Sequence, residues 1–339
     1  MEKINRCYYL DKEHNLTLLE KPIPVPGADE AVIRIMANGI CGSDVHFYKD
    51  GRLGNFLVQE PYIPGHECSG MVYSVGKAVT GFQVGDRVTI EPGIPCGRCG
   101  TCKSGRYNLC PHVVFLSEPG INGTFCDYVA VRADMLYPLP ERMSFELGAL
   151  VEPTAVAVHG MSMAGNLRGK TAAVFGAGPI GLITMLAFKA AGGGRAVCID
   201  INETRLNRAK SLGADDIVVN RDADLRNCCD IAFETAGSPL TTALLFTAVR
   251  PGGYAVQIGW PAGNVVNMNI ADFMEKEITY SGLNRYANAY PAAIAWLADG
   301  RIPGGELITN RFPFIQTPEA FAFTAENPDR VVKTMVLEE

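Results

Sequence analysis

The stretch that most narrows the fold is "KTAAVFGAGPIGLITMLAFKAAG", from Lys170 to Gly192. It reads as a short apolar strand, a turn holding three glycines, and a long apolar helix. "RAVCIDI" follows as a second buried strand, then "NETRLNRAKSLGA" as an amphipathic helix closed by Gly213. "DIAFETAG" and "GGYAVQIGW" give further strands on either side of the helical "PLTTALLFTAV". Strands alternating with helices predict a parallel sheet with right-handed crossovers. The chain is therefore expected to be α/β, with a doubly wound Rossmann domain in its second half.

The turn carries chemistry as well as shape. Gly176, Gly178 and Gly181 form G-x-G-x-x-G between strand and helix, and the second strand ends in Asp200. Gly176 permits the tight turn, Gly178 lets backbone approach a pyrophosphate, and Gly181 lets helix and strand pack closely. The helix start offers free N–H groups to phosphate. Ile180 lies within the same turn. A carboxylate at Asp200 accepts from both ribose hydroxyls and repels a 2′-phosphate, so NAD is expected in preference to NADP. Arg205, five residues on, partly offsets that repulsion.

Residues 1–150 have another texture. "AVIRIMANGI", "GMVYSVG" and "DRVTIEPG" are apolar, β-branched runs bounded by Gly, Pro and Asp, which predicts a β-rich, loop-rich lobe. After the parallel-sheet region come a strand at "EITYSGL", a helix at "YPAAIAWLADG" and a closing strand at "VVKTMVLE". At 339 residues, two domains are expected. A net charge of −6 without a Lys/Arg cluster argues against a nucleic-acid partner. No stretch approaches the roughly 18 apolar residues of a membrane span, and the first residues lack a signal-peptide core. A cytoplasmic protein is expected.

Eleven cysteines without an export signal point to metal rather than disulfides. Cys96, Cys99, Cys102 and Cys110 follow C-x₂-C-x₂-C-x₇-C, the pattern of a closed Cys₄ zinc site with no position left for substrate. An iron–sulfur cluster is the competing assignment. A second constellation is scattered: Cys41 in "NGICGSDVH", His66 and Glu67 in "PGHECSG", and Glu152 in "LVEPTAV". A thiolate, an imidazole and one carboxylate give zinc three ligands and leave a fourth position open, as in catalytic sites. Two zinc ions per chain are expected, one structural and one catalytic.

The ordered set "GICGSDVH", "GHECSG", CxxCxxC…C, "EP" and "GAGPIG…D" resembles the zinc-dependent medium-chain dehydrogenases across essentially the whole chain. "GRYNL", "LVEP" and "GLNRYANAYPAAIAWLADG" are most similar to their sorbitol and xylitol (polyol) dehydrogenase subgroup. The resemblance implies a GroES-like β-rich catalytic domain over residues 1–153, with a zinc lobe near 92–112. It places a Rossmann NAD domain over 154–284 and returns residues 285–339 to the catalytic domain. Cys41 and His66 match zinc ligands, and either Glu67 or Glu152 fills the remaining place, the other holding a proton nearby. Ser43 and His46 match a proton relay. Phe47, Glu152, Arg285 and Tyr286 match substrate contacts, and Ile258, Gly259 and Trp260 match backbone lying against the nicotinamide. Two departures bear on the substrate: the subgroup often has an aromatic where Asn284 stands, and tyrosine where Phe47 stands.

The expected reaction is oxidation of a secondary alcohol of a polyol to a ketose, with hydride passing to NAD. The resemblance also implies a homo-oligomer, a tetramer. The alternatives keep the chemistry with a sugar-alcohol phosphate, a vicinal diol or a threonine-like amino alcohol as substrate. Another class of alternative is a structural protein that binds nucleotide without catalysis.

Overall fold

The computed structural model describes residues 4–220 and 224–338. The chain divides into two compact units: Met1–Glu152 with Pro303–Glu339, and Pro153–Ile302.

The first unit is built on a mixed seven-stranded sheet. In order it runs Leu136–Pro138, Arg87–Ile90, Glu67–Val75, Glu30–Gly39, Lys333–Leu337 and Ile308–Pro313, and Tyr128–Arg132 also pairs with Glu30–Gly39. The last strand of the chain thus joins the sheet beside the first residues of the site. Ala31, Ile33, Ile35, Cys68, Val72, Val88 and Ile90 fill one core of this unit. All but Ala31 and Cys68 are β-branched, suited to a pleated, half-buried surface. Short helices interrupt the lobe at Gly42–Asp50, Gly100–Lys103 and Phe145–Ala149. The first of them was not evident in the sequence, because the polar "GSDVHFYKD" buries only Asp44 and Phe47.

The second unit has a six-stranded, wholly parallel sheet in the order Asp216–Val219, Ala196–Asp200, Ala172–Phe175, Cys229–Glu234, Val249–Gln257 and Thr279–Gly282. Ala172–Phe175 and Cys229–Glu234 are buried at every position, as strands covered on both faces must be. Phe175, Phe188, Phe233 and Phe246 are fully buried. Each such side chain contributes about 1.5–3 kcal/mol of transfer free energy. The unit runs on to Ile302 and includes the helix Tyr290–Ala298.

Candidate active site

Among the described residues, the first unit gathers two thiol- or imidazole-containing groups able to hold a metal ion. In the lobe, Cys96, Cys99, Cys102 and Cys110 place their sulfurs 3.4–3.9 Å apart in three pairs. A tetrahedron with zinc–sulfur bonds of 2.3 Å has edges of about 3.8 Å, so the four thiols fit that ion. Gly97 and Gly105 take left-handed backbone (φ 69° and 78°), which lets the loop curl around the centre. The Thr101 hydroxyl, 3.0 Å from the sulfur, and the Cys102 N–H hold the Cys99 thiol down at about 6. Cys99→Ser is expected to release one zinc per chain and lower Tm by about 5–10 °C while the other zinc stays. Metal analysis alongside thermal melting checks this.

The second group brings Cys41, His66 and Glu67 together, with one donor atom from each within 4.8 Å of the others. Local structure accounts for each position. Cys41 is the N-cap of the helix Gly42–Asp50, in extended backbone. Three residues on, Asp44 reaches back to accept from the Cys41 N–H at 3.0 Å, half of a capping box. His66 ends the turn after Gly65, and Glu67 opens the strand that pairs with Glu30–Gly39, opposite Gly39. A Cβ on Gly39 would lie 2.3 Å from Glu67 Oε2, so the glycine makes the room that the carboxylate occupies.

Two residues that sequence reasoning missed organise this group. Asp44 is fully buried and accepts from the Gly65 N–H at 3.2 Å and the Ser117 hydroxyl at 3.1 Å, besides Cys41. Its Oδ1 lies 3.9 Å from His66 Nδ1, and Ser117 Oγ lies 3.4 Å from the same nitrogen. With Nδ1 turned to these oxygens, Nε2 is the nitrogen left for a metal. Lys333 is the other: its ammonium, buried with Glu67, donates at 2.7 Å to both carboxylate oxygens and at 3.1 Å to the Ile40 carbonyl. Burial alone would push Lys333 down, but Glu67 and Cys41 raise it. Burial would also lower His66, and Cys41 and Asp44 instead hold it well above its usual range. Burial pushes the Asp44 carboxyl up, and the donors left to face one another are a thiol, an imidazole and a carboxylate, a set that suits zinc. The signal for Asp44 was present as the C-x-x-D spacing at a helix start; Lys333 left none.

Glu152 is buried in the first turn of Val151–Met163 and acts electrostatically on His66 and Lys333, but its carboxylate is outside the 4.8 Å group. Ser43 and His46 are three apart on one helix, and exposed His46 pairs through Nδ1 with Asp50 Oδ2 at 3.2 Å. Phe47, expected at the substrate, is turned into the core against Leu10, Val58 and Tyr62. It lies three residues after buried Asp44, on the same helix face. In the second unit Tyr286 is also buried and packs against Tyr290, with ring centroids 5.6 Å apart and planes tilted by 44°, and Arg285 has left-handed backbone (φ 55°).

The nucleotide turn has the form its glycines predict. Gly176 has φ 98°, and a Cβ on Gly181 would meet the Gly176 carbonyl at 1.9 Å. A Cβ on Gly178 would meet nothing within 4 Å, so backbone there faces open space at the start of Pro179–Ala190. That is the cradle a pyrophosphate requires. Asp200 Oδ2 accepts from the Ala177 N–H at 2.6 Å and Oδ1 from the Asn202 N–H at 2.9 Å, which fixes the acid beside the turn. Asn202 caps the next helix through the Arg205 N–H. Ile258 and Gly259 donate to the Glu234 carbonyl, and Trp260 is half exposed at 55%.

Comparison with known proteins agrees with this geometry. Residues 27–141 match the alcohol dehydrogenase GroES-like domain, and residues 179–299 match the zinc-binding dehydrogenase model. Sorbitol dehydrogenase of Bacillus subtilis is 40% identical over 93% of this chain and 92% of its own. Probable D-xylulose reductase A of Aspergillus clavatus is 37% identical over 94% and 92%. The structure of L-idonate 5-dehydrogenase from Escherichia coli superposes with a TM-score of 0.93 at 29% identity, covering 99% of each chain. The chain belongs to the zinc-dependent medium-chain dehydrogenases, in their polyol dehydrogenase subgroup.

Proposed function

We propose that this enzyme oxidises a secondary alcohol of an acyclic polyol, of the sorbitol or xylitol kind, to the ketose with NAD as hydride acceptor. The observation that carries the reading is the sulfur–nitrogen–oxygen donor set of Cys41, His66 and Glu67, present in one chain with the glycine turn and Asp200. These three residues would hold zinc, with Glu152 as the nearby proton-holding carboxylate. Bound there, zinc supplies Lewis acidity to an alcohol oxygen, and NAD supplies the hydride acceptor. Ser43 Oγ takes the alcohol proton and passes it to His46. Asp50 at Nδ1 orients that ring and leaves Nε2 to accept. His46 is 58% exposed, so the proton leaves to solvent.

Gly176, Gly178, Ile180 and Gly181 would take the pyrophosphate, Asp200 the ribose, and Ile258, Gly259 and Trp260 the nicotinamide side. Arg285 and Tyr286 are the substrate contacts we propose. Cys96, Cys99, Cys102 and Cys110 would hold the structural zinc.

We also infer a cytoplasmic homo-oligomer, in which the exposed edge strand Thr279–Gly282 and apolar Ile270, Met274 and Tyr280 meet another copy. Among the described residues no helix is long and apolar enough to cross a membrane.

The test is a panel of sugar alcohols, sugar-alcohol phosphates, diols and threonine, assayed with NAD and NADP in parallel. The highest kcat/KM is expected on an unphosphorylated polyol with NAD. A preference for NADP or for a phosphorylated substrate overturns this assignment. Asp200→Ala is expected to reduce the NAD-over-NADP preference ~30-fold, about 2 kcal/mol of lost charged hydrogen bonding and relieved repulsion. Parallel kinetics with the two cofactors read that ratio.

A further inference from the structure

Glu234 has no place in the reaction described above, yet it is a fully buried carboxylate with no cation beside it among the bonds described. Oε1 accepts from the Ala236 N–H at 3.0 Å and the Thr241 hydroxyl at 2.7 Å. Oε2 accepts from the Gly237 N–H at 3.2 Å and the Gln257 side-chain amide at 2.8 Å. Its backbone carbonyl accepts from Ile258 and Gly259, each at 2.9 Å. Gln257 continues the network by donating to the Gly259 carbonyl at 2.7 Å and accepting from the Tyr280 hydroxyl at 3.3 Å.

Through its side chain, its own carbonyl and Gln257, Glu234 therefore ties together the loop after Cys229–Glu234, the first turn of the helix Pro239–Ala248, and the loop after Val249–Gln257. The glycines show how close the two loops come. A Cβ on Gly259 would lie 2.4 Å from the Gly237 nitrogen and 2.6 Å from Glu234 Oε2, and one on Gly237 would lie 2.7 Å from the Trp260 carbonyl. Taking a carboxylate out of water is costly, and a buried ionic group is often no more stabilising than an apolar one of similar size. A group kept at that cost serves to fix one geometry.

Its address in the sheet indicates which geometry. Glu234 is in register with Phe175 on one side and Gln257 on the other, so all three stand at the carboxyl edge. Phe175 directly precedes the glycine turn. Asp200 lies on the opposite side of Ala172–Phe175, where the sheet order reverses. A dinucleotide at such a switch point places one half on each side. With Asp200 taking the adenosine ribose, the other half falls to the loops that Glu234 joins. We propose that Glu234 is a positioning residue for the nicotinamide half of the cofactor, holding the 235–238 and 257–260 loops at the spacing that half requires. The proposal rests on the NAD reading of the glycine turn.

Glu234→Gln isolates this role. All four partners of the carboxylate are donors in this arrangement. Whichever way the amide turns, its NH₂ faces the backbone N–H of either Ala236 or Gly237. Gln257→Leu is the second variant: it keeps the carboxylate and removes its link to the far loop, together with the bonds of that amide to the Gly259 carbonyl and the Tyr280 hydroxyl. Each chain is titrated with NADH and with ADP-ribose, which lacks the nicotinamide. For Glu234→Gln the NADH Kd is expected to rise roughly tenfold, with ADP-ribose within about twofold of the parent. Gln257→Leu moves NADH in the same direction by less, and it carries the test if Glu234→Gln fails to fold. Equal weakening of both ligands, or no change in either, overturns the proposal while leaving the NAD reading standing. A parent chain that binds neither ligand overturns both.

Discussion

Cys41→Ala is expected to lower polyol kcat/KM by about a thousandfold or more, because it removes the thiolate from a three-donor site and with it the Lewis acid, a contribution of several kcal/mol. The same variant should retain one zinc per chain, since the four-cysteine lobe has no member near Cys41 in its donor set. NADH affinity should stay within about twofold of the parent, because the glycine turn and Asp200 belong to the second unit. This pattern of lost turnover, one metal kept and cofactor bound separates loss of the catalytic metal from general unfolding. Steady-state kinetics, metal analysis and NADH titration together check it.

The largest effect on stability is expected at Lys333. With the metal removed from the Cys41 site, Lys333→Met leaves Glu67 and the Ile40 carbonyl buried without their ammonium, and breaking one side of a buried pair costs about 3–5 kcal/mol. Tm should fall by about 10 °C for a chain unit of this size. The double variant Glu67→Gln, Lys333→Met should recover a substantial part of that loss, because it removes the stranded charge as well. A double-mutant cycle in denaturant unfolding measures the coupling. Additive losses would mean that the pair is not what holds the closing strand to the site.

The sequence made the second unit far more legible than the centre of the site. The glycine turn, its flanking apolar runs and Asp200 are local in sequence, and their spacing alone constrains the backbone. The four thiols of the lobe are equally local. Cys41 and His66 could be singled out because cysteine and histidine are metal-ligand types, but their supports could not. Lys333 lies 266 residues from Glu67, in a strand buried along nearly its whole length that shows no alternation of polar and apolar positions. Asp44 and Phe47 share a helix too polar to be recognised as one, so the inward turn of Phe47 was not visible. Glu234 is the polar end of an apolar strand, and only sheet register sets it beside Gln257. The second compact unit ends at Ile302, after the helix Tyr290–Ala298.

We propose that Cys41, His66 and Glu67 hold the zinc that turns a nucleotide-binding chain into a polyol dehydrogenase. The most direct test is controlled chelation, with zinc per chain and NAD reduction on sorbitol and xylitol followed in the same samples. Activity should be lost with the loss of one of two zinc ions and return when zinc is added back, while NADH binding persists throughout. Full polyol oxidation after that zinc has left, with Cys41 replaced by alanine, would contradict the account.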